Sequence, residues 1–114
     1  MNVGIIGATG LVGRELVRLF EDNHLNIKYK DIKFYASKKS SFIFKKVLVD
    51  IDILDENIFK SLDIAFFCAS SEISEKFAFV ANKCGCIVID NSSAFRMRKE
   101  IPLIVAYHVQ RCLA

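Results

Sequence analysis

The sequence predicts an α/β domain with a doubly wound, mostly parallel sheet. Two observations predict this class. The first is that short segments that are apolar throughout alternate with segments of helical periodicity. The second is a glycine-rich turn that joins the first apolar segment to the first helical one. Strands that are apolar on both faces are typical of parallel sheets covered by helices on both sides. Ligands of such sheets bind outside the carboxyl ends of the strands, so we expect a site there.

The first half of the chain predicts a strand at residues 2–6, a helix at 11–22 and a second strand at 31–36. Residues 42–53 are rich in Phe, Ile and Val, which predicts one or two further extended segments. The predicted apolar stripe of the helix consists of Val12, Leu16, Leu19 and Phe20.

The second half predicts one or two helical turns at residues 55–61 and a strand at 63–69. A second helix follows, and its predicted apolar stripe consists of Ile73, Phe77, Val80, Ala81 and Cys84. Gly85 then suits a left-handed helix cap. Further strands are predicted at 86–89 and 101–105.

Composition favours a single globular domain. The chain has 114 residues, 53% of them apolar and 25% charged, with a net charge of +3. This charge is too small to indicate nucleic acid or an anionic membrane as the main partner. The longest apolar run covers only residues 64–69, and the amino terminus has no secretory pattern, so we expect a cytoplasmic protein that spans no membrane.

The cysteines and histidines predict no metal site. The four cysteines lie at positions 68, 84, 86 and 112 and form no Cys-x-x-Cys pair, and there are two histidines. We expect reduced and mostly buried cysteines, with Cys84 and Cys86 both in the core.

The turn after the first strand carries glycines at 7, 10 and 13. This spacing is close to that of the dinucleotide-binding turn of Rossmann-like domains. There the first glycine permits a tight turn, the second admits a pyrophosphate close to the backbone, and the third lets the helix pack on the sheet. The alternative is a turn that binds nothing.

The end of the second predicted strand bears on the choice of cofactor. NAD sites usually place an acidic residue there, about twenty residues after the glycine turn. This chain has Ala-Ser-Lys-Lys-Ser at residues 36–40 instead. Two hydroxyls and two ammonium groups suit a 2′-phosphate, so the sequence favours NADP over NAD. The alternative is a solvated basic turn.

Three segments together resemble aspartate-semialdehyde dehydrogenase: residues 7–13, residues 36–40, and Asp-Asn-Ser-Ser-Ala-Phe-Arg-Met at 90–97. The resemblance covers roughly residues 1–105 and only the amino-terminal cofactor domain of that family. It implies NADPH-dependent reduction of β-aspartyl phosphate to aspartate semialdehyde, a step of amino-acid biosynthesis that leads to lysine, and a homo-oligomeric enzyme.

The resemblance also implies roles for individual residues. Ser37 and Ser40 would meet the 2′-phosphate, and Asn91 would lie near the nicotinamide. Arg96 would bind the phosphate of the substrate. The turn around the pyrophosphate would be lined by Gly7, Thr9, Gly10, Leu11, Val12 and Gly13, and the cofactor would be bordered by Cys68 and Ala69.

This chain departs from the family pattern at three places. Residues 68–70 are Cys-Ala-Ser where the family has Ser-Ala-Gly, and Phe42 stands near a position usually held by glycine. The resemblance ends at Val105, so residues 106–114 are predicted to be a divergent tail. The catalytic Cys and His of the family belong to a carboxyl-terminal domain that we expect to be absent, so the chain alone is expected to be inactive.

Two other functions stay open at this point. An N-acetyl-glutamyl-phosphate reductase domain has a similar glycine turn, although residues 91–96 argue against it. A non-catalytic dinucleotide-binding module is the second alternative. Nucleic-acid binding through Lys38, Lys39, Lys45 and Lys46 is disfavoured because no stacking motif accompanies them.

Overall fold

A six-stranded sheet with strand order β3-β4-β2-β1-β5-β6 forms the centre of the chain. A computed structural model describes residues 1–25 and 27–90. The strands are β1 (Asn2–Ile6), β2 (Asp31–Ala36), β3 (Ser40–Phe44), β4 (Val47–Ile53), β5 (Ile64–Phe67) and β6 (Ile87–Asp90). The helices are α1 (Leu11–Glu21), a 3₁₀ helix (Glu56–Ser61) and α2 (Ser71–Lys83).

The sheet is parallel except at one edge, which confirms the predicted α/β, Rossmann-like class. β1 pairs with β2 on one side and with β5 on the other, both in parallel. β2 pairs in parallel with β4, and β5 with β6, whereas β3 is antiparallel to β4. The strands that follow β1 are therefore added first on its β2 side and later on its β5 side. This reversal of strand order opens a crevice at the carboxyl ends of the strands.

Each face of the sheet has its own apolar core. On one face α1 packs Leu16, Val17 and Phe20 against β1 and neighbouring strands. On the other face Phe59 of the 3₁₀ helix and Phe77 of α2 cover β5. Burial on both faces explains why residues 64–67 are apolar without interruption.

Both predicted helix stripes are wrong in part. In α1 the buried residues are Gly13, Leu16, Val17 and Phe20. In α2 they are Ser74, Phe77, Ala78 and Ala81. The buried faces include the small residues Gly13, Ser74 and Ala78, which a stripe defined by large apolar side chains leaves out. Cys84 is exposed and caps α2, so its predicted place in the core is wrong, whereas Cys86 is buried.

The region predicted as one or two extended segments is a β-hairpin. Its turn residues Lys45 and Lys46 both have left-handed backbones, with φ of 49° and 67°. A two-residue turn of this kind matches the twist of the paired strands, but it usually contains Asn and Gly. Lys45 is held there because its backbone N–H donates to Glu21 and its Nζ to Asn23, both at 3.1 Å.

Gly85 has a φ of +79°, as predicted for the residue after α2. The predicted strand at residues 101–105 and the tail at 106–114 lie outside the described residues. No helix in residues 1–25 and 27–90 is long and apolar enough to cross a membrane.

Candidate functional site: a cavity at the carboxyl ends of the strands

The turn after β1 is fixed between the two neighbouring strands. Gly7 adopts a φ of +85°, which favours glycine. The backbone N–H groups of Gly7 and Ala8 donate to the carbonyl of Tyr35 in β2, at 2.8 and 3.2 Å. On the other side, a Cβ on Gly7 would lie 2.9 Å from the backbone of Cys68 and Ala69. A side chain at position 7 would therefore displace the turn from one strand or the other.

The other two glycines of the turn have different surroundings. A Cβ on Gly13 would lie 2.0 Å from the carbonyl oxygen of Gly7, so α1 can approach the turn only without a side chain there. A Cβ on Gly10 would have its nearest atom, the same oxygen, at 3.5 Å, which is an ordinary contact. Gly10 lines a cavity, so a side chain at this position would project into free space.

The amino terminus of α1 presents unused N–H groups. Gly10 is the N-cap, no side chain caps it, and the first turn contains no acidic residue. The helical hydrogen bonds begin with the N–H of Arg14, which donates to the carbonyl of Gly10 at 2.9 Å. In α2, by contrast, the Ser70 hydroxyl accepts a hydrogen bond from the Ile73 N–H at 3.4 Å. Free N–H groups and the positive end of the helix dipole favour an anion at Gly10.

A cavity of about 590 Å³ opens beside this helix terminus, between the ends of β2 and β5. Its size falls within the range of small-molecule and cofactor sites. Six of the predicted site residues line it together: Gly7, Thr9, Gly10, Ser37, Cys68 and Ala69.

Four predicted residues of the described part lie outside this cavity. Leu11 is 84% exposed at the first turn of α1, Val12 is half-buried, and Gly13 is buried against Gly7. Ser40 begins β3 and lines a second cavity. Leu11, Val12 and Gly13 can contribute to this site through the helix terminus that they form, but their side chains do not line its wall.

The apolar wall of the cavity is not predicted by any motif in the sequence. Ile53 and Leu54 at the end of β4 form one part of it, and Ile73 and Phe77 of α2 form another. An apolar wall beside hydroxyls and free N–H groups suits a flat aromatic base attached to a phosphate. Only the three-dimensional arrangement reveals this wall, because its residues come from two distant parts of the chain and follow no motif.

Cys68 is a wall residue with a neutral thiol. Burial, helped by the nearby negative charge of Asp90, raises its pKa to about 12. Only the thiolate is strongly nucleophilic, so this cysteine is not activated for attack at neutral pH.

The second cavity, of about 380 Å³, lies between α1 and the β3–β4 hairpin. Its polar wall includes Thr9, Ser40 and Ser41, and Thr9 also lines the first cavity. The two predicted 2′-phosphate serines therefore lie in neighbouring cavities. Lys38 and Lys39 are exposed and line neither of them.

The polar segment predicted at residues 90–97 begins with Asp90, the last residue that the structure describes. Asp90 ends β6 and is buried, and its Oδ1 accepts a hydrogen bond from the Ser74 hydroxyl at 3.2 Å. This contact ties the end of β6 to α2. The predicted site residues Asn91 and Arg96 come next and lie outside the described residues. Within residues 1–25 and 27–90, no group of three or more His, Cys, Asp or Glu could hold a metal ion.

Comparison with known proteins identifies the domain. The family described as semialdehyde dehydrogenase, NAD binding domain, matches residues 2–111. The chain belongs to this family. The match extends past Val105, and the boundary proposed there stays a prediction.

Curated relatives of this semialdehyde dehydrogenase domain include aspartate-semialdehyde dehydrogenases of two bacteria. The chain is 43% identical to the Rickettsia bellii protein over 109 residues, covering 91% of this chain and 31% of the relative. It is also 43% identical to the Campylobacter jejuni protein over 109 residues, with the same coverage. The chain thus spans less than a third of the length of these relatives.

Solved structures show the same fold. Aspartate semialdehyde dehydrogenase II of Vibrio cholerae, complexed with ASA, superposes with a TM-score of 0.78 at 31% identity, covering 97% of this chain and 39% of that one. The enzyme of Candida albicans, solved with NADP, superposes with a TM-score of 0.65 at 19% identity, covering 89% and 32%. At that lower identity the likeness concerns the fold alone.

Proposed function

We propose that this domain binds NADP(H) as the cofactor-binding part of an aspartate-semialdehyde dehydrogenase. The observation that carries the proposal is the uncapped terminus of α1 at Gly10, which opens onto a cavity lined by hydroxyls and an apolar wall. A dinucleotide offers the matching groups: a diphosphate for the free N–H groups and an adenine for the apolar wall.

The end of β2 supports NADP over NAD. An acidic side chain there would hold the ribose 2′-hydroxyl of NAD and would repel a phosphate. Among the described residues that line the larger cavity, none is acidic, and Ser37 supplies a hydroxyl at the end of β2. The Candida albicans enzyme, which shares the fold, was solved with NADP, and this agrees with the proposal.

The rest of the cofactor would extend along the strand ends toward β5 and β6. We propose that Cys68 and Ala69 border it and that Asn91 lies near the nicotinamide. The bound cofactor would supply the hydride. Arg96 is proposed to hold the phosphate of β-aspartyl phosphate, because a guanidinium binds a phosphate through two parallel hydrogen bonds.

These residues bind and orient a cofactor, but they do not complete the reaction. A thioester route through a cysteine needs an activated thiol, and the neutral Cys68 thiol does not provide one. The family resemblance assigns the catalytic Cys and His to a second domain. We therefore propose that the 114-residue chain alone binds the cofactor without turnover.

The described cysteines Cys68, Cys84 and Cys86 are free thiols. Free thiols are typical of a reducing compartment, which supports our proposal that the protein acts in the cytoplasm. The homo-oligomeric state implied by the family resemblance stays a prediction.

Titration with NADPH, followed by amide chemical shifts in NMR, tests the binding proposal. We expect saturable binding at micromolar or higher concentration, with the largest shifts at Gly7, Thr9, Gly10 and Ser37. Gly85, between α2 and the amino end of β6, lies at the opposite edge of the sheet from the site. It is the internal control and should shift little. The absence of saturation at millimolar NADPH would contradict the proposal. Phosphate-dependent oxidation of aspartate semialdehyde by the pure chain would refute the proposed inactivity.

A further inference from the structure

The two predicted phosphate-binding serines line different cavities, and Thr9 lines both. Ser37 lines the larger cavity with Thr9, and Ser40 lines the smaller cavity with Thr9. A phosphate on the ribose 2′-position that met both serines would therefore extend from the larger cavity toward the smaller one. A cation that lines the smaller cavity would then lie close to the 2′-phosphate.

That cation is Arg14. It lies on α1 one turn after Gly10 and is the basic residue among those that line the smaller cavity. Lys76 lines the larger cavity from α2, beside Phe77 of the apolar wall. Lys38 and Lys39, the cations predicted from the sequence to meet the 2′-phosphate, line neither cavity.

The guanidinium of Arg14 is available for a ligand. No carboxylate among residues 1–25 and 27–90 forms an ion pair with it, whereas Arg18, one turn later, pairs with Glu15. Glu21 also lines the smaller cavity, but its Oε2 accepts a hydrogen bond from the Lys45 N–H at 3.1 Å. One Glu21 oxygen is thus held by the hairpin turn, whereas no side-chain hydrogen bond or ion pair within residues 1–25 and 27–90 engages Arg14 or Ser40 of the same cavity.

We infer that Arg14 binds the 2′-phosphate of NADP together with Ser40 and so selects NADP over NAD. The inference rests on the proposed function, because it places one group of the cofactor. A planar guanidinium can donate two parallel hydrogen bonds to one phosphate, which a lysine ammonium cannot do. NAD has a hydroxyl at this position and gains little from Arg14.

The experiment compares NADPH and NADH binding by isothermal titration calorimetry for the parent chain and four variants, the fourth being Arg14→Lys. Arg14→Gln removes the proposed contact. Arg18→Gln is the matched control, since it removes an arginine from the same helix that lines neither cavity. A double variant, Lys38→Gln with Lys39→Gln, tests the competing assignment. Circular dichroism shows whether each variant folds.

We expect Arg14→Gln to weaken NADPH binding by about tenfold to a hundredfold, the usual loss for a hydrogen bond between charged groups. NADH binding should stay unchanged, and Arg14→Lys should restore part of the NADPH affinity. Arg18→Gln and the double lysine variant should bind both cofactors like the parent, apart from a small electrostatic effect that disappears at higher salt.

Three results would overturn the inference. Arg14→Gln could bind NADPH as the parent does, or the double lysine variant could show the loss instead. The parent could also bind NADH as tightly as NADPH, which would leave the dinucleotide site intact but remove any selection by the 2′-phosphate. A parent that binds neither cofactor would contradict the proposed function itself. This outcome is distinct, because in the other three the parent still binds NADPH.

Discussion

Substituting alanine for Gly13 tests whether α1 packs on the glycine turn as the structure shows. The added Cβ would lie 2.0 Å from the Gly7 carbonyl oxygen, 2.8 Å from the Gly7 carbonyl carbon and 2.9 Å from the Ala8 Cα. All three are backbone atoms, so no side chain can rotate away to relieve the contact. Either α1 or the turn after β1 has to move.

The expected loss is the difference between two effects. Overpacking a close contact costs about 1–3 kcal/mol, and a contact with backbone belongs at the upper end. Alanine in place of glycine inside a helix gains about 1 kcal/mol. We therefore expect Gly13→Ala to lower the free energy of unfolding by about 2 kcal/mol. For a domain of this size that loss lowers the Tm by roughly 8–16 °C.

Gly10→Ala is the matched control, since it adds the same methyl group to the same turn. Its Cβ would lie 3.5 Å from the nearest atom, so we expect only the cost of replacing an N-cap glycine, at most about 1 kcal/mol. Urea denaturation measures both variants. If Gly13→Ala were no less stable than Gly10→Ala, the described packing of α1 on the turn would be wrong.

Three further predictions concern other parts of the structure. Burial, helped by the charge of Asp90, raises the pKa of Cys68 to about 12, so iodoacetamide at pH 7.5 should label the exposed Cys84 long before the half-buried Cys68. Peptide mass spectrometry measures both rates, and equal rates would contradict a neutral Cys68 thiol. Lys46→Gly relieves a left-handed backbone and should raise the free energy of unfolding by about 0.5 kcal/mol. Lys45→Gly also removes the hydrogen bond to Asn23 and should bring no gain. If urea denaturation showed that both variants or neither were more stable than the parent, this account of the turn would be wrong. Phe59→Ala empties a fully buried site against Phe67 and should cost about 3–5 kcal/mol in the same assay; a loss below 1 kcal/mol would show that the core on this face is not packed as described.

The elements of the sheet could be predicted from the sequence because their apolar runs are short and clearly bounded. β1 and β5 are buried on both faces, and such strands leave a continuous apolar signal. The hairpin was harder to predict because Lys45 and Lys46 occupy a turn that usually carries Asn and Gly. The hydrogen bonds of Lys45 to Glu21 and Asn23 hold the turn in place despite the usual preference for Asn and Gly.

The residues of the site that lie close together in the sequence could be predicted. Those that come together only through packing of distant elements could not. The spacing of Gly7, Gly10 and Gly13 identifies the turn, because backbone atoms leave no room for a Cβ at Gly7 and Gly13, and Gly10 borders the cavity. The apolar wall around Phe77 and the shared lining of the smaller cavity by Arg14 and Ser40 arise only when distant elements meet. No spacing rule in a single sequence connects those residues.

The direct test of the central claim compares NADPH binding by the parent chain and Gly10→Val. The larger side chain would project into the space where the diphosphate is proposed to meet the terminus of α1. We predict that the parent binds NADPH and that the variant, while still folded by circular dichroism, loses measurable binding. Equal affinities in parent and variant would show that backbone amides at this turn do not hold the cofactor.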